Sequence, residues 1–458
     1  MHYYQCVCSL RKIKSSIVLQ FGLILSIIPI EILKINGDIM QNKITLSNGV
    51  RIVYETIPYV RSASVGIWVN SGTRDELAAE NGTAHYIEHM VFKGTSTRTA
   101  QQLALAMDRM GGQVNAFTTK ENTCFYGHVL DTHITQLGDI LCDMLMNSRF
   151  DEQDADNERN VILEEIGMYE DTPDDLVTER LFGGCFRGSP LARPVLGTEK
   201  TLSGINGAFL KQYLANNYTG RKIIVALSGN VSESDVQFFA DRLSSLPAGD
   251  GANRLAASYK PWFGIRKKPT EQNHIVLAFP GIAITDENRF AVQLMNGIFG
   301  SEMSSRLFQS VREENGLCYS IYSFTSAFTD TGLFGIYTAL NREMERPALE
   351  LIVKEIKRLK SDGVTADELS FAREQVKANL LMSLESTHSR MNRLGNNELY
   401  FGRFRSIDES IAGYDAVTPD DIVKAAELIF DFDKTSFSAV GRTDTTDNYR
   451  EFIGGLLA

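Results

Sequence analysis

The stretch Thr83-Ala-His-Tyr-Ile-Glu-His-Met-Val-Phe-Lys-Gly94 decides how the rest of the chain is read. It predicts a short helix, and on a helix residues three and four apart share a face. His85 and His89 can therefore close on one ion while Glu88 points into the same space. Neutral imidazole is a standard zinc ligand. A carboxylate beside the open coordination position can take a proton from a water whose pKa the metal lowers to about 7. The spacing His-x-x-Glu-His reverses the commoner His-Glu-x-x-His order.

Two imidazoles do not complete a catalytic zinc site, which takes three protein ligands and a water. Working outward, a carboxylate source lies in Asp151-Glu-Gln-Asp-Ala-Asp-Asn-Glu-Arg-Asn-Val-Ile-Leu-Glu-Glu-Ile166. Its acidic first turn and the absence of Pro or Gly before Gly167 predict a helix. Glu158 and Glu165 stand seven apart, and at about 100° per residue they share one face with Ile162 between them.

The two stretches together resemble the pitrilysin, insulinase and mitochondrial processing peptidase family of zinc proteases, whose motif has this inverted order. In length the chain is nearest the short two-domain branch of bacterial processing-peptidase-like proteins. The resemblance begins at Met40, with Met-Gln-Asn-Lys-Ile-Thr-Leu-Ser-Asn-Gly, and runs nearly to the end. It implies that His85, His89 and Glu165 bind one Zn2+ per chain, that Glu88 is the general base, and that Glu158 supports a ligand from behind. It also implies that Asn115, Ala116 and Phe117, in the strand Gly112 to Thr119, pair with a peptide substrate bound as an added edge strand. Such pairing takes affinity from main-chain bonds and preference from side pockets.

Composition is that of an ordinary globular protein, with 43% hydrophobic and 22% charged residues in 458. A formal charge of -11 argues against nucleic acid and anionic membrane surfaces and suits an enzyme that draws in basic peptides. Cys6, Cys8, Cys124, Cys142, Cys185 and Cys318 make no dense framework and no Cys-x-x-Cys pair, which favours a reducing compartment.

Residues 1 to 39 differ from the rest of the chain. Arg11, Lys12 and Lys14 precede an apolar run from Ile17 to Ile30, short for a membrane span of about 20 residues and without a small-x-small cleavage site. A poorly ordered extension is expected here, either a targeting segment or an over-extended start. From Lys43 the pattern predicts a hairpin, Ile44-Thr-Leu and Val50-Arg-Ile-Val-Tyr flanking Asn48-Gly49, with a type I′ turn. Strands are expected at 64 to 69, 114 to 119, 123 to 130 and 222 to 230, with helices at 99 to 110, 132 to 148, 151 to 170, 174 to 186 and 232 to 246. Residues 247 to 270 lack periodicity and read as a linker.

The second half repeats the order of the first: a strand at His274, two helices (286 to 298 and 302 to 315), a strand pair (318 to 326 and 331 to 340), then long helices. The fold class expected is α+β, an internal duplication giving two homologous α/β-sandwich domains, each a mostly antiparallel sheet with a helical layer, closing a clam-like chamber. Residues 40 to 246 would form the catalytic zinc-binding domain and 271 to 458 a second domain without the motif. From that second domain the resemblance implies Arg312 and Tyr319 facing the zinc, Tyr319 donating to the developing oxyanion. The family's glycine-rich loop falls at residues 295 to 305, which keep Gly297 and Gly300 but carry Ser301-Glu302. His2, His128, His133, His274 and His388 have no partner at ligand spacing and read as structural or exposed.

The resemblance implies a zinc-dependent metalloendopeptidase acting on extended peptides or leader segments. A non-catalytic binding or core subunit of a processing-peptidase-like heterodimer would have lost a ligand or Glu88, and this chain keeps all four. A homodimer, or a heterodimer with an inactive paralogue, is expected. The compartment expected is the bacterial cytoplasm, with the mitochondrial matrix, or export and tethering through residues 1 to 35, as alternatives.

Overall fold

The structure, a computed structural model, describes residues 31–33, 41–251 and 253–458. The basic and apolar segments expected to act in targeting lie outside the described residues. Glu31–Leu33, within the extension expected to lack order, pairs antiparallel with Gln41–Lys43.

In the first half, β1 (Glu31–Leu33), β2 (Gln41–Thr45), β3 (Arg51–Thr56), β4 (Ser62–Val69), β5 (Gln113–Thr118), β6 (Thr123–Leu130) and β7 (Ile223–Gly229) form one sheet. Its order is β1-β2-β3-β7-β4-β6-β5. In the second half, β8 (Phe263–Lys267), β9 (Asn273–Gly281), β10 (Ser320–Ala327), β11 (Gly332–Leu340) and β12 (Ser436–Gly441) form another, ordered β10-β11-β9-β12-β8. Five strands of the first sheet correspond in order to the five of the second. The parallel pair falls at the same place in each, β3 with β7 and β8 with β12. Strand β8 lies inside the segment read as a linker. Only Phe263 and Ile265 carry a period-2 apolar signal there, too short to mark a strand in sequence.

The β2–β3 hairpin also departs from expectation. Gly49 takes φ +90° and Asn48 does not, so the turn spans Leu46 to Gly49 rather than the type I′ pair. Asn48 is held elsewhere, its buried amide donating to the carbonyls of Leu243 (2.8 Å) and Leu246 (3.0 Å) at a helix end.

Each sheet is covered on both faces. One face packs on helices of its own half, such as Ile134–Asn147 against Val65, Ile67 and Val69. The other face is covered by a helix from the opposite half. Leu176, Val177 and Leu181 of helix Pro173–Cys185 pack with Val276, Ala278 and Val440 of the second sheet. Met391 and Leu394 of helix Thr387–Phe401 pack with Val53, Trp68 and Ile224 of the first. This exchange explains why β4 is buried along almost its whole length.

Both crossing helices approach a tryptophan through a glycine. A Cβ on Gly395 would lie 2.4 Å from Trp68 Nε1, and one on Gly184 would lie 2.1 Å from Trp262 Cδ2. Only a residue without a side chain lets these helices seat so closely. Ion pairs fix the seating of Thr387–Phe401: Arg390 with Glu55 at 2.8 Å, and buried Glu398 with Lys43 at 2.9 Å and Arg51 at 3.1 Å.

Candidate metal centre

The histidine helix, Thr83–Met90, starts without a side-chain cap of its own, because Gly82 at its N-cap sits at φ +98° against Leu196 and Gly197. The cap comes from Glu76. Its carboxylate accepts from the backbone N–H of Gly82 (2.8 Å) and Ala84 (2.8 Å) and from Asn81 Nδ2 (3.1 Å). These are the orphan donors of a helix start, and the Glu76 oxygens satisfy them. Glu76 is 2% exposed, and burial pushes its carboxyl up to about 8 against the pull of those donors.

From this anchored helix His85 and His89 reach the same oxygen. His85 Nε2 lies 3.7 Å and His89 Nε2 3.6 Å from Oε2 of Glu165, on helix Glu152–Asp171. One ligand atom from each of the three lies within 4.8 Å of the others. His89 Nδ1 is 2.8 Å from Glu158 Oε1, whose other oxygen meets Lys93 Nζ at 2.6 Å. With the Glu158 carboxyl at Nδ1, the tautomer that carries its proton on Nδ1 turns the Nε2 lone pair towards Glu165. Burial, then the neighbouring His89, pushes His85 down to about 3, so its imidazole is neutral, the form that binds a metal.

Glu88 lies one turn from His85 on the same face. Burial raises its carboxyl, while Thr118 and His89 act against the rise. One buried oxygen of Glu88 and the buried Nδ1 of His85 have no partner among the described residues. Three converging ligand atoms, a neutral imidazole and a carboxylate with unused acceptor capacity fit a zinc ion with room for water.

His85, Glu88 and Glu165 line a cavity of about 680 Å³ with Phe117 and Thr118 from the end of β5. That strand is the outer edge of its sheet. Its exposed Asn115 turns its own Oδ1 onto the N–H of Ala116 at 2.9 Å, so this N–H faces the open edge rather than β6. Ala116 is buried, and Phe117 meets Trp68 edge to face at 5.5 Å.

Arg312 and Tyr319 are brought to each other, the guanidinium 5.3 Å from the Tyr319 ring and 4.5 Å from Phe308. Tyr319 is 77% exposed, and neither residue lines the cavity of His85 and Glu88. The loop expected at residues 295 to 305 is partly helical, Gly297–Ser301 forming a wide π turn that continues Arg289–Asn296. The helix expected at 302 to 315 is shorter, running from Arg306 to Glu313 with its Phe308–Glu313 part a π turn. His128, His274 and His388 are bonded to Ser64, Tyr337 and Asn392, away from the cluster.

Three further residues of the site stand outside the sequence motifs. Lys93 stands four after His89 and so shares its face, a spacing readable in the sequence. Glu76 and Thr118 act across loops and strand ends, and no spacing marks them.

Residues 51–199 match the family described as Insulinase (Peptidase family M16), and residues 204–376 match the Peptidase M16 inactive domain. A Bacillus subtilis protein named "uncharacterized zinc protease YmxG" is 42% identical over 395 residues, covering 85% of this chain and 96% of that protein. A Streptomyces coelicolor protein, also named an uncharacterized zinc protease, is 40% identical over 87% of this chain and 88% of its own length. Among solved structures, a Pseudomonas fluorescens peptidase M16 inactive domain has a TM-score of 0.83 at 21% identity, covering 89% of this chain and 99% of that one. A protease from Helicobacter pylori has a TM-score of 0.82 at 19% identity, covering 88% and 99%. The two-domain α/β fold is thus shared, and with both family regions matched along the chain, this protein belongs to the insulinase (M16) peptidase family.

Proposed function

We propose that the protein is a zinc metalloendopeptidase that hydrolyses extended peptides or leader segments. The observation that carries this reading is the convergence of His85, His89 and Glu165 within 4.8 Å, with Glu88 in the same cavity beside an edge strand. A zinc ion held by these three side chains would supply Lewis acidity and acidify a water.

The remaining steps belong to the chain. The peptide lies along β5 as an added strand, its main chain taking the open N–H of Ala116 in place of Asn115 Oδ1. Glu88 accepts the proton of the attacking water and passes it to the leaving amine nitrogen, a task helped by the burial that raises its carboxyl. Glu158 holds the ring of His89 and, with Lys93, its tautomer. Arg312 and Tyr319 assist the substrate carbonyl when the two halves close on it. The chain works as a homodimer or beside an inactive paralogue.

The test is cleavage of a quenched basic peptide by purified protein, with zinc, after chelation, and by Glu88→Gln. Activity lost on chelation, restored by zinc, and reduced by about 10³-fold or more in the variant is expected. Cleavage that survives Glu88→Gln in zinc-loaded protein overturns the reading.

A further inference from the structure

The duplication extends to a second cavity. In the first half the catalytic cavity is bounded by helix Thr83–Met90, the end of β5, helix Glu152–Asp171 and the crossing helix Pro173–Cys185. In the second half a cavity of about 390 Å³ lies among the equivalent elements. These are helix Arg289–Asn296, the last residues of β10, Leu380 of helix Ala366–Ser383, and the crossing helix Thr387–Phe401. The position is that of the metal centre, but the chemistry is inverted. Arg289, Arg393 and Arg405 line it, and among the described residues its lining holds no Asp, Glu or Lys.

Three guanidiniums are concentrated here in a chain of net charge -11. Arg405 is 8% exposed, and its Nε and Nη2 are buried without a hydrogen-bond acceptor among the described residues. The carboxylate nearest to it, Glu409, stands 3.6 Å from Nε and is held by two bonds from Arg403, at 2.6 and 2.9 Å. The Nε groups of Arg289 and Arg393 are also buried and unpaired. Arg289 and Arg405 share the faces of the same two rings, at 4.4 and 5.5 Å from Phe290 and 5.6 and 4.6 Å from Phe401. Loss of water, then the charge of Arg405, pushes both Arg289 and Arg393 below the usual guanidinium range. Buried like charges with unused donors are costly unless an anion arrives between them.

The apolar part of the wall, Phe290, Phe401 and Leu380, calls for an apolar body on that anion. Residues Thr325 to Ala327 at the end of β10 line both this cavity and the neighbouring cleft, whose other wall includes Phe117 of β5. The end of β10 is thus a common wall of the arginine cavity and of the cleft that borders β5.

We infer that the second-half cavity binds a peptide carboxylate carried beside an apolar side chain, either the C-terminal carboxylate or an acidic side chain. The site would set which part of a peptide is anchored while another part lies over Glu88. It rests on the peptide-binding reading above but not on turnover, so the two are tested apart.

Calorimetry on the full chain, zinc-loaded and zinc-free, would compare an N-acetylated apolar tetrapeptide ending in a free carboxylate with its C-terminal amide. A further amide would carry Glu as the last side chain. The free acid is expected to bind about tenfold or more tighter than the plain amide, with and without zinc. Tight binding of the Glu amide identifies the side-chain source, and its weakness the chain terminus; either supports a carboxylate site. Arg405→Met and Arg289→Met should each abolish the preference, with zinc affinity and melting unchanged. A preference that vanishes on removing zinc places the carboxylate on the metal and overturns the inference. So does a preference that survives both Arg variants, or equal binding of acid and amides by the unaltered protein. Loss of peptide cleavage with the preference intact would instead count against the peptidase reading alone.

Discussion

Glu158 is not itself in the candidate ligand group, yet it joins His89 Nδ1 to Lys93 and so favours the tautomer that leaves Nε2 free. Glu158→Gln keeps an acceptor for Nδ1 but loses the charge that fixes the proton there. Zinc affinity should fall about 10- to 100-fold in competition with a chromogenic chelator, with the melting curve of the zinc-free protein little changed. Glu76 carries a pH prediction. Its folded carboxyl titrates at about 8, above the ordinary value near 4.3, so the folded state keeps a proton that the unfolded chain releases. Stability from this group is fully present below the unfolded value and is lost as pH rises towards 8. The unfolding free energy from urea titrations between pH 5 and 8.5 should fall for the parent, by up to about 1.4 kcal/mol per pH unit from this group, and less steeply for Glu76→Gln. At this scale the sequence was most readable for His85, Glu88 and His89, because a helical turn alone brings them together. Glu165 was reachable through its helix face. Glu76 was not, because its partners at Gly82 and Ala84 depend on how an irregular loop returns to the helix start.

The elements that set the cavity walls are the crossing helices. Their seating depends on Gly395 over Trp68 and Gly184 over Trp262, where an added Cβ has no room against an indole that is itself packed. Gly395→Ala and Gly184→Ala should each destabilise by about 1–3 kcal/mol, read from denaturant midpoints at unchanged m-value. Gly167→Ala, a helix position with open space around the added carbon, is the control. Strand and helix positions were legible from periodicity for most of the chain, since alternation and 3.6-residue repeats are local properties. The partner of a crossing helix was not. Met391 and Leu394 show an apolar stripe without saying which sheet it covers. Strand β8 was hidden for a related reason: a short strand beside one parallel neighbour needs little apolar surface of its own.

Across the whole molecule the halves meet at a buried charge. Arg74, with no exposed side-chain surface, pairs at 2.7 Å with Glu121 of the first half and at 2.7 Å with Asp330 of the β10–β11 turn. It also donates to the Leu255 carbonyl at 2.9 Å in the connecting segment. Removing the cation leaves two carboxylates facing each other at a partly buried junction. Arg74→Met should cost about 3–5 kcal/mol and increase cleavage by trypsin in the 253–260 segment, with zinc affinity retained. The repeated order of elements made the duplication visible in the sequence, but this three-way contact joins residues about 250 positions apart and has no local signature. The exchange of helices between halves also has a consequence for synthesis. As the nascent chain leaves the ribosome, His85, Glu88, His89 and Glu165 emerge within the first 165 residues, while the cover for Val53, Trp68 and Ile224 is residues 387 to 401. The first sheet must therefore wait, one face wet, until most of the second half has been translated. A frameshift or stop codon between Glu165 and Thr387 would leave a chain with His85, Glu88, His89 and Glu165 in place and a tryptophan-bearing sheet face open to water, a substrate for cellular quality control.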